Sequence, residues 1–243
     1  MIAFGSALPR IRTAVKRDLA HPLGAVINQV ALVATLVRLL DTTFVRVGNE
    51  EYARVNKSFG LTTLRKRHAA ICGYKLRLKF RGKSGVVQEV ALKDKRVARV
   101  VRSCQALPGH ELFKYQDESG ELHSIGSAAI NDYLGATGGG DFTAKDFRTW
   151  HGSAAALTLF LQMNEEEREA ITPTVALGLI AEVARLLGNT MAVCRKSYIH
   201  PEVLALLFKT KSSVKVTKLV QLKPKAGLSI SESVFLAFVC AIK

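Results

Sequence analysis

The sequence predicts a mainly α fold that carries one small three-stranded antiparallel β-sheet, which places it in the α+β class. Over most of the 243 residues the apolar side chains recur at helical spacing, and alternation with a period of two appears only between His68 and Leu92. Hydrophobic residues make up 48% of the chain, which is enough for one sizeable core or two small ones and excludes extensive disorder. We therefore expect one domain over residues 1–243, with possible sub-lobes at 1–140 and 141–243.

The most apolar stretch, Leu23 to Leu40, is predicted to form a buried helix. It is interrupted by Asn28, Gln29 and Arg38. It therefore falls short of the ~18–20 uninterrupted apolar residues that a membrane span needs. The N-terminus places apolar residues before the cations Arg10 and Arg12, which is the reverse of a secretory signal. We expect neither a membrane partner nor a leader peptide.

The segment from Tyr74 to Arg81 alternates apolar residues with cations. A strand there presents one cationic face and buries the other. The cations of that face are Lys75, Arg77, Lys79 and Arg81. The next four residues, 82–85, are typical of a turn, and Val86 to Leu92 is predicted to be the return strand.

The rest of the chain is predicted to be mostly helical. A helix follows Asp94 to about Cys104, and further helices are expected at 145–162, 174–188, 200–208 and 231–241. The three glycines at 138–140 predict a flexible break.

The charge of the chain indicates a polyanionic partner. Lys and Arg number 35 against 20 Asp and Glu, which gives a net charge of +15 and a pI of about 9.9. Nucleic acid is favoured over a membrane surface because no basic amphipathic segment stands out.

Two common kinds of site are excluded. Gly82-Lys83-Ser84 resembles the end of a phosphate-binding loop, but Arg77 stands where that loop needs glycine, and a strand follows instead of a helix. We therefore expect no nucleotide cofactor.

The cysteines form no CxxC pair, and the histidines have no acidic companions at metal spacing. No metal is expected, and free thiols suit a reducing cytosol.

Tyr198 closes a polar and basic segment, and three isolated cations stand upstream of it: Arg46, Lys83 and Arg148. Tyrosine is a poor nucleophile at neutral pH, since its reference pKa of ~10 leaves roughly one phenolate in a thousand. Positive charge near the phenol and near a phosphate corrects this. Each cation alone is typical of an ordinary surface residue, but the set indicates direct attack on a phosphodiester.

Four segments resemble the motifs of type IB DNA topoisomerases, in their small poxvirus and bacterial forms. Phe44–Tyr52 followed by Asn56–Leu64 is similar to the first-arginine motif of that family. Phe80–Gly85 is similar to the turn that carries its hairpin lysine, Phe142–Trp150 to its second-arginine motif, and Gly188–Pro201 to its nucleophile motif. The four occur in the family's order.

The resemblance implies a role for each site residue. Tyr198 attacks the scissile phosphate and holds the DNA as a 3′-phosphotyrosyl ester. Arg46 and Arg148 donate bidentate hydrogen bonds to the nonbridging oxygens, and Lys83 protonates the leaving 5′-oxygen. Asn189, nine residues before Tyr198, takes the place of the poxvirus histidine and donates one hydrogen bond without adding charge. A purely capping Asn189 is the alternative.

The surroundings of Arg148 are also predicted. Phe147 and Trp150 are expected to anchor the helix while the Arg148 guanidinium reaches out. Lys145 lies three residues earlier on the same helical face, and is either a phosphate clamp or a supporting catalytic lysine. Further DNA contacts are expected from Arg65, Arg67, Lys75, Arg77, Lys79, Arg81, Arg195 and Lys196.

The implied activity is relaxation of supercoiled double-stranded DNA by a monomeric catalytic domain in the bacterial nucleoid, without ATP or metal. Met1 to Arg10 resembles the helix that leads out of the family's strand-rich N-terminal clamp domain, which is expected to be absent, so that relaxation is distributive and sensitive to salt. One alternative is a tyrosine recombinase, whose usual His-x-x-Arg motif is absent at Ala144 to Arg148. The other is a non-catalytic DNA-binding domain.

Overall fold

The computed structural model describes residues 1–20, 27–209 and 222–242, and the chain forms two compact units. We call Arg10–Ala144 the Arg46 unit, and Met1–Pro9 with Lys145–Lys243 the Tyr198 unit. The predicted class, mainly α with a small three-stranded antiparallel sheet, is confirmed.

The helices of the Arg46 unit are α1 (Ile2–Asp18, from Arg10 onward), α2 (Gln29–Thr43), α3 (Glu50–Asn56), α4 (Lys95–Ala106) and α5 (Ser127–Gly138). Helix α2 begins where it does because the Asn28 side chain accepts a hydrogen bond from the Ala31 N–H at 2.9 Å. The predicted start at Leu23 is therefore corrected within the described part of the chain: Asn28 and Gln29 are the cap and first residue of the helix. Residues 23–26 lie outside the described residues.

The sheet of the Arg46 unit has the order β1 (Ala69–Cys72), β2 (Lys75–Arg81), β3 (Val87–Lys93), with antiparallel pairing throughout. Burial alternates along β2 as predicted. Leu76, Leu78 and Phe80 are buried, whereas the four intervening cations are exposed. The strand thus supplies apolar core on one face and a row of positive charge on the other.

A second hairpin, β4 (Lys114–Gln116) and β5 (Leu122–Ser124), was not predicted from the sequence. Its turn places the His123 ring 2.7 Å from the Asp117 carboxylate, and Glu121 lies in the same cluster. The expectation that the histidines lack acidic companions at metal spacing is therefore wrong for His123, because the hairpin turn brings its ring beside Asp117, which lies six residues earlier in the chain. Hydrogen bonds from the Ser119 hydroxyl and from His123 hold the pKa of Asp117 below its ordinary value.

The helices of the Tyr198 unit are α6 (Ala144–Gln162, from Lys145 onward), α7 (Glu165–Glu169), α8 (Pro173–Leu186), α9 (Met191–Ser197), α10 (Pro201–Leu207) and α11 (Ile230–Cys240). The four helices predicted in this region agree with α6, α8, α10 and α11 within two residues at each end. Among the described residues no single helix is long and apolar enough to cross a membrane, and α8 and α9 meet the length and composition only as a pair bent by 92°.

Helix α6 is fixed by aromatic packing on its buried side. The Phe147 ring lies edge-on to Phe4 of α1, with centroids 5.1 Å apart, and the Trp150 ring packs against Phe235 of α11 at 5.0 Å. The Trp150 indole N–H donates to the buried carboxylate of Glu232 at 3.2 Å. Two aromatic residues that are both fully buried therefore set the rotation of the helix that carries Arg148.

Candidate active site

Arg46 lies in the loop that follows α2. The Leu61 N–H donates to the Arg46 carbonyl at 2.9 Å, and the Thr62 N–H donates to the Val47 carbonyl at 2.7 Å. A Cβ built on Gly60 would lie 2.5 Å from the Cα of Gly48 and 2.7 Å from the Arg46 carbonyl oxygen. The two halves of the first-arginine motif, Phe44–Tyr52 and Asn56–Leu64, therefore pack against each other. Direct contact between their backbones fixes the main chain of Arg46.

Lys83 is exposed in the turn between β2 and β3. Its Nζ lies 5.8 Å from the centre of the Tyr52 ring in α3, within cation–π range. The Phe59 N–H donates to the Arg81 carbonyl at 2.7 Å, so the end of β2 is also hydrogen-bonded to the first-arginine motif. The Arg46 unit thus links the segments that carry its two predicted catalytic cations, Arg46 and Lys83.

Arg148 is buried in α6 and only 3% exposed. Its Nη2 donates to the Leu187 carbonyl at 2.8 Å, and its Cζ lies 4.8 Å from the centre of the Tyr198 ring. The expectation that this guanidinium reaches out is therefore wrong. The anchoring by Phe147 and Trp150 is as predicted, but it turns Arg148 toward the nucleophile motif and away from solvent.

Tyr198 caps the C-terminal end of α9, where its N–H donates to the Cys194 carbonyl at 2.9 Å. Burial raises the pKa of the Cys194 thiol to about 11, against an opposing effect of the Arg148 charge, so this thiol stays protonated at neutral pH. Burial also lowers the pKa of His200, which favours its neutral form, and His200 caps α10 by accepting from the Glu202 N–H at 3.3 Å. The neighbouring Cys194 thiol is thus not an alternative nucleophile to Tyr198.

Asn189 lies in the turn between α8 and α9. Its N–H donates to the Ala184 carbonyl at 2.8 Å, and its side-chain Nδ2 is shielded from solvent. The capping alternative is wrong for α9, because the Thr190 side chain accepts from the Val193 N–H at the start of that helix. Arg148 contacts this same turn through Leu187, so the Tyr198 unit brings together Arg148, Tyr198 and the turn that carries Asn189.

The cationic face of β2 is partly neutralised. Arg77 Nε donates to Glu89 of β3 at 2.9 Å, and the Lys79 ammonium lies 3.5 Å from the same carboxylate. The hydrogen bond from Arg77, together with the charges of Arg77 and Lys79, holds the pKa of Glu89 below its ordinary value. Lys75 and Arg81 are the other two cations of the face, and both are exposed.

The remaining predicted DNA contacts are all exposed: Arg65, Arg67, Lys145, Arg195 and Lys196. The Arg65 guanidinium lies 5.5 Å from the Phe59 ring centre, and that of Arg195 lies 4.5 Å from Phe208. Lys145 is exposed whereas Arg148, one turn further along α6, is buried, so the two side chains do not share an exposed face.

Sequence reasoning missed two small residues of α6 that contact the nucleophile motif. A Cβ built on Gly152 would lie 2.5 Å from the Tyr198 carbonyl oxygen. The Ser153 hydroxyl accepts from the His200 N–H at 2.9 Å and donates to the Tyr198 carbonyl at 3.4 Å. Neither residue carries charge, so a search for titratable groups passes over them. The available signal was a Gly-Ser pair one turn after Arg148 in the predicted helix.

Comparison with known proteins agrees with the motifs. The family model described as eukaryotic DNA topoisomerase I, catalytic core, matches residues 1–225. DNA topoisomerase 1B of Acanthamoeba polyphaga mimivirus is 30% identical to this chain over 204 residues, which cover 81% of this chain and 60% of the viral protein. The match thus spans 60% of the length of that relative. Because the relative is viral, the predicted bacterial form stays a prediction. The match over most of the chain establishes that it belongs to the family of the eukaryotic DNA topoisomerase I catalytic core, the type IB topoisomerases.

Proposed function

We propose that this chain cleaves and rejoins one strand of duplex DNA with Tyr198 as the nucleophile, and that it relaxes supercoils in this way. The observation that carries the proposal is the buried Arg148 guanidinium, whose Cζ lies 4.8 Å from the centre of the Tyr198 ring. A positive charge fixed there stabilises the negative charge that develops on the phenol oxygen during attack. Family membership and the name of the viral relative support the same reaction.

The proposed reaction exchanges one phosphoester bond for another. The Tyr198 phenol oxygen forms a bond to the scissile phosphorus, and the bond from phosphorus to the 5′-oxygen breaks. The phenol proton passes to solvent, and the leaving oxygen takes a proton and becomes a 5′-hydroxyl. After the cut strand has swivelled, this hydroxyl attacks the 3′-phosphotyrosyl ester and releases Tyr198. No bond energy is lost over the cycle, so its balance requires neither ATP nor a metal.

The two arginines are proposed to bind the nonbridging oxygens of the pentacoordinate transition state, because a planar guanidinium offers paired donors to such oxygens. For Arg148 the support is its burial and its hydrogen bond to the Leu187 carbonyl, because a buried charge acts in a medium of low dielectric constant and this bond orients the guanidinium without DNA. For Arg46 the support is the rigid packing of its main chain against Gly48 and Gly60. Asn189 is proposed to add one neutral donor.

Lys83 is proposed as the general acid for the leaving 5′-oxygen. Its exposed ammonium at a hairpin turn has the donors and the access that this role needs, and the Tyr52 ring lies within cation–π range of it. During religation the same side chain takes the proton back from the attacking hydroxyl. The role of Lys145 stays open between phosphate clamp and supporting lysine.

Double-stranded DNA is the proposed substrate, bound by the exposed cations described above and favoured by the net charge of +15. We further propose that the protein acts as a monomer on DNA in the cytoplasm, since every proposed catalytic residue is supplied by one chain.

The test is formation of a covalent adduct on a duplex labelled at one end of the cut strand. With a 5′-end label, the label is expected to migrate with the wild-type protein on a denaturing gel, because the upstream fragment stays esterified to Tyr198. With a 3′-end label, a free fragment with a 5′-hydroxyl is expected instead. Tyr198→Phe should bind DNA normally and give no adduct.

Tyr74→Phe serves as the matched control, because Tyr74 is exposed before β2 and its hydroxyl has no proposed role. It should form the adduct as the wild type does. Adduct formation by Tyr198→Phe, or attachment of protein to the 3′-labelled fragment, would contradict the proposal.

A further inference from the structure

The backbone around Tyr198 depends on outside support. Tyr198 lies at the junction of α9 and α10, which have seven residues each. Helices this short have little stability of their own in water. The position of the nucleophile is therefore set by the element against which the junction packs.

That element is α6, and Ser153 is the side chain that contacts the junction on both sides. Ser153 is fully buried. Its hydroxyl accepts from the His200 N–H at 2.9 Å and donates to the Tyr198 carbonyl at 3.4 Å, so one group satisfies the backbone before and after Ile199. Ile199 is itself buried, which leaves this short segment little freedom to shift.

The neighbouring glycine allows the contact to be direct. A Cβ at Gly152 would lie 2.5 Å from the Tyr198 carbonyl oxygen, closer than any side chain tolerates. Arg148 lies one turn earlier on the same helix, with its Cζ 4.8 Å from the Tyr198 ring centre. One rigid helix thus holds the guanidinium through its own backbone and the nucleophile through Ser153.

We infer that Ser153 is a positioning residue for the nucleophile. By fixing the Tyr198–His200 backbone to α6, its hydroxyl sets the distance between the Tyr198 phenol and the Arg148 guanidinium. The inference rests on the proposed function and adds a residue that touches neither DNA nor the reacting atoms. Small errors in such placement cost about 10²-fold in rate, even when binding is intact.

The experiment measures cleavage and religation in a single turnover, with enzyme in excess over a labelled duplex. In Ser153→Ala both rate constants are expected to fall by about 10- to 100-fold. Both directions share one transition state, so the fraction of DNA held covalently at equilibrium should not change. DNA affinity should also match that of the wild type.

Two further variants complete the design. Thr158→Ala removes another α6 hydroxyl, one that donates to the Ala154 carbonyl of its own helix, and should leave both rate constants unchanged. Ser153→Cys keeps the side-chain size with a weaker donor and should give intermediate rates. If Ser153→Ala does not fold, Ser153→Cys carries the test with the same measurements.

Unchanged rate constants in Ser153→Ala, with only a smaller active fraction or a lower melting temperature, would show a purely structural role and overturn the inference. A wild-type protein that forms no adduct gives a different result, because it overturns the proposed function and this inference with it.

Discussion

The two units hold their proposed catalytic residues in contrasting ways. In the Tyr198 unit, Arg148 is 3% exposed, hydrogen-bonded to Leu187 and packed on the Tyr198 ring. In the Arg46 unit, Lys83 is exposed at a hairpin turn, and contacts between Gly48 and Gly60 fix the Arg46 backbone. The proposed nucleophile and its neighbouring cation are held together without DNA, whereas the proposed acid is accessible to solvent.

The contrast suits the chemistry that each residue would perform. Stabilisation of a transition-state charge depends on donors that are already oriented, and burial provides that orientation. A general acid needs access to a leaving oxygen that arrives with the substrate, so an exposed turn is a suitable place. The variants below test whether the buried and the exposed residues differ in this way.

The largest expected effect is that of Lys83→Ala, which should slow cleavage by about 10²–10⁴-fold, the usual range for loss of a general acid. A duplex with sulfur in the bridging 5′ position should restore the rate, since a thiolate leaves without protonation. The measurement is single-turnover cleavage of both duplexes. A variant that stays equally slow on the sulfur duplex would remove Lys83 from the acid role.

Arg148→Ala and Arg46→Ala should each slow cleavage by about 10²–10³-fold, as does removal of an oxyanion donor, and sulfur should rescue neither. Arg148→Lys should stay impaired, because an ammonium lacks the planar fork and cannot bind Leu187 and a phosphate oxygen in the same way. The same duplexes provide the measurement. Rescue of either arginine variant by the sulfur duplex would contradict the distinction between a general acid and groups that stabilise the transition-state charge.

Gly60→Ala tests the backbone packing beneath Arg46. A methyl group there overlaps the Gly48 backbone, so unfolding free energy should fall by about 1–3 kcal/mol, as for other overpacked sites. Gly178→Ala in α8 is the matched control, since no atom lies within 4 Å of its added Cβ, and it should stabilise the helix by about 1 kcal/mol. Urea denaturation compares the two. A Gly60→Ala variant as stable as the wild type would show that the loop accommodates the methyl group without a loss of unfolding free energy.

The smallest expected effect is that of Glu89→Gln, which frees Arg77 and Lys79 on the β2 face. DNA affinity should rise roughly 2- to 5-fold at ~0.1 M salt, and the slope of log affinity against log salt should become steeper, because more phosphates are neutralised. Glu118→Gln, the same change in an exposed turn, controls for net charge. Equal gains in both variants would mean that the β2 face makes no specific contribution.

The sequence predicted the features that depend on short motifs and on the local periodicity of apolar residues. The helix that carries Arg148, the turn that carries Lys83 and the two-faced strand β2 followed from motif and periodicity, whereas helix α9, which ends at Tyr198, was not predicted. Burial of the Arg148 guanidinium did not follow, because it depends on where the turn after α8 lies, some 40 residues further along the chain.

Other features escaped prediction for the same reason. Strands β4 and β5 have three residues each, too few for alternation to be visible, and the ion pair of Asp117 and His123 exists only once their hairpin forms. Gly152 and Ser153 act through contacts with backbone 45 or more residues away, which no local pattern encodes. What the sequence did not predict was therefore the contacts between distant segments that support the proposed site.

The dependence of Tyr198 on α6 also has a consequence for a chain that is not fully folded. A nascent or locally opened chain still contains Tyr198, but the Arg148 guanidinium and the Ser153 hydroxyl that are proposed to assist it come from a helix far away in sequence. Under the proposed mechanism, the tyrosine of such a chain does not cleave DNA. The His200 amide N–H, which donates to the Ser153 hydroxyl, would exchange with solvent when the junction opens, so hydrogen exchange at this position reports how often the proposed site comes apart.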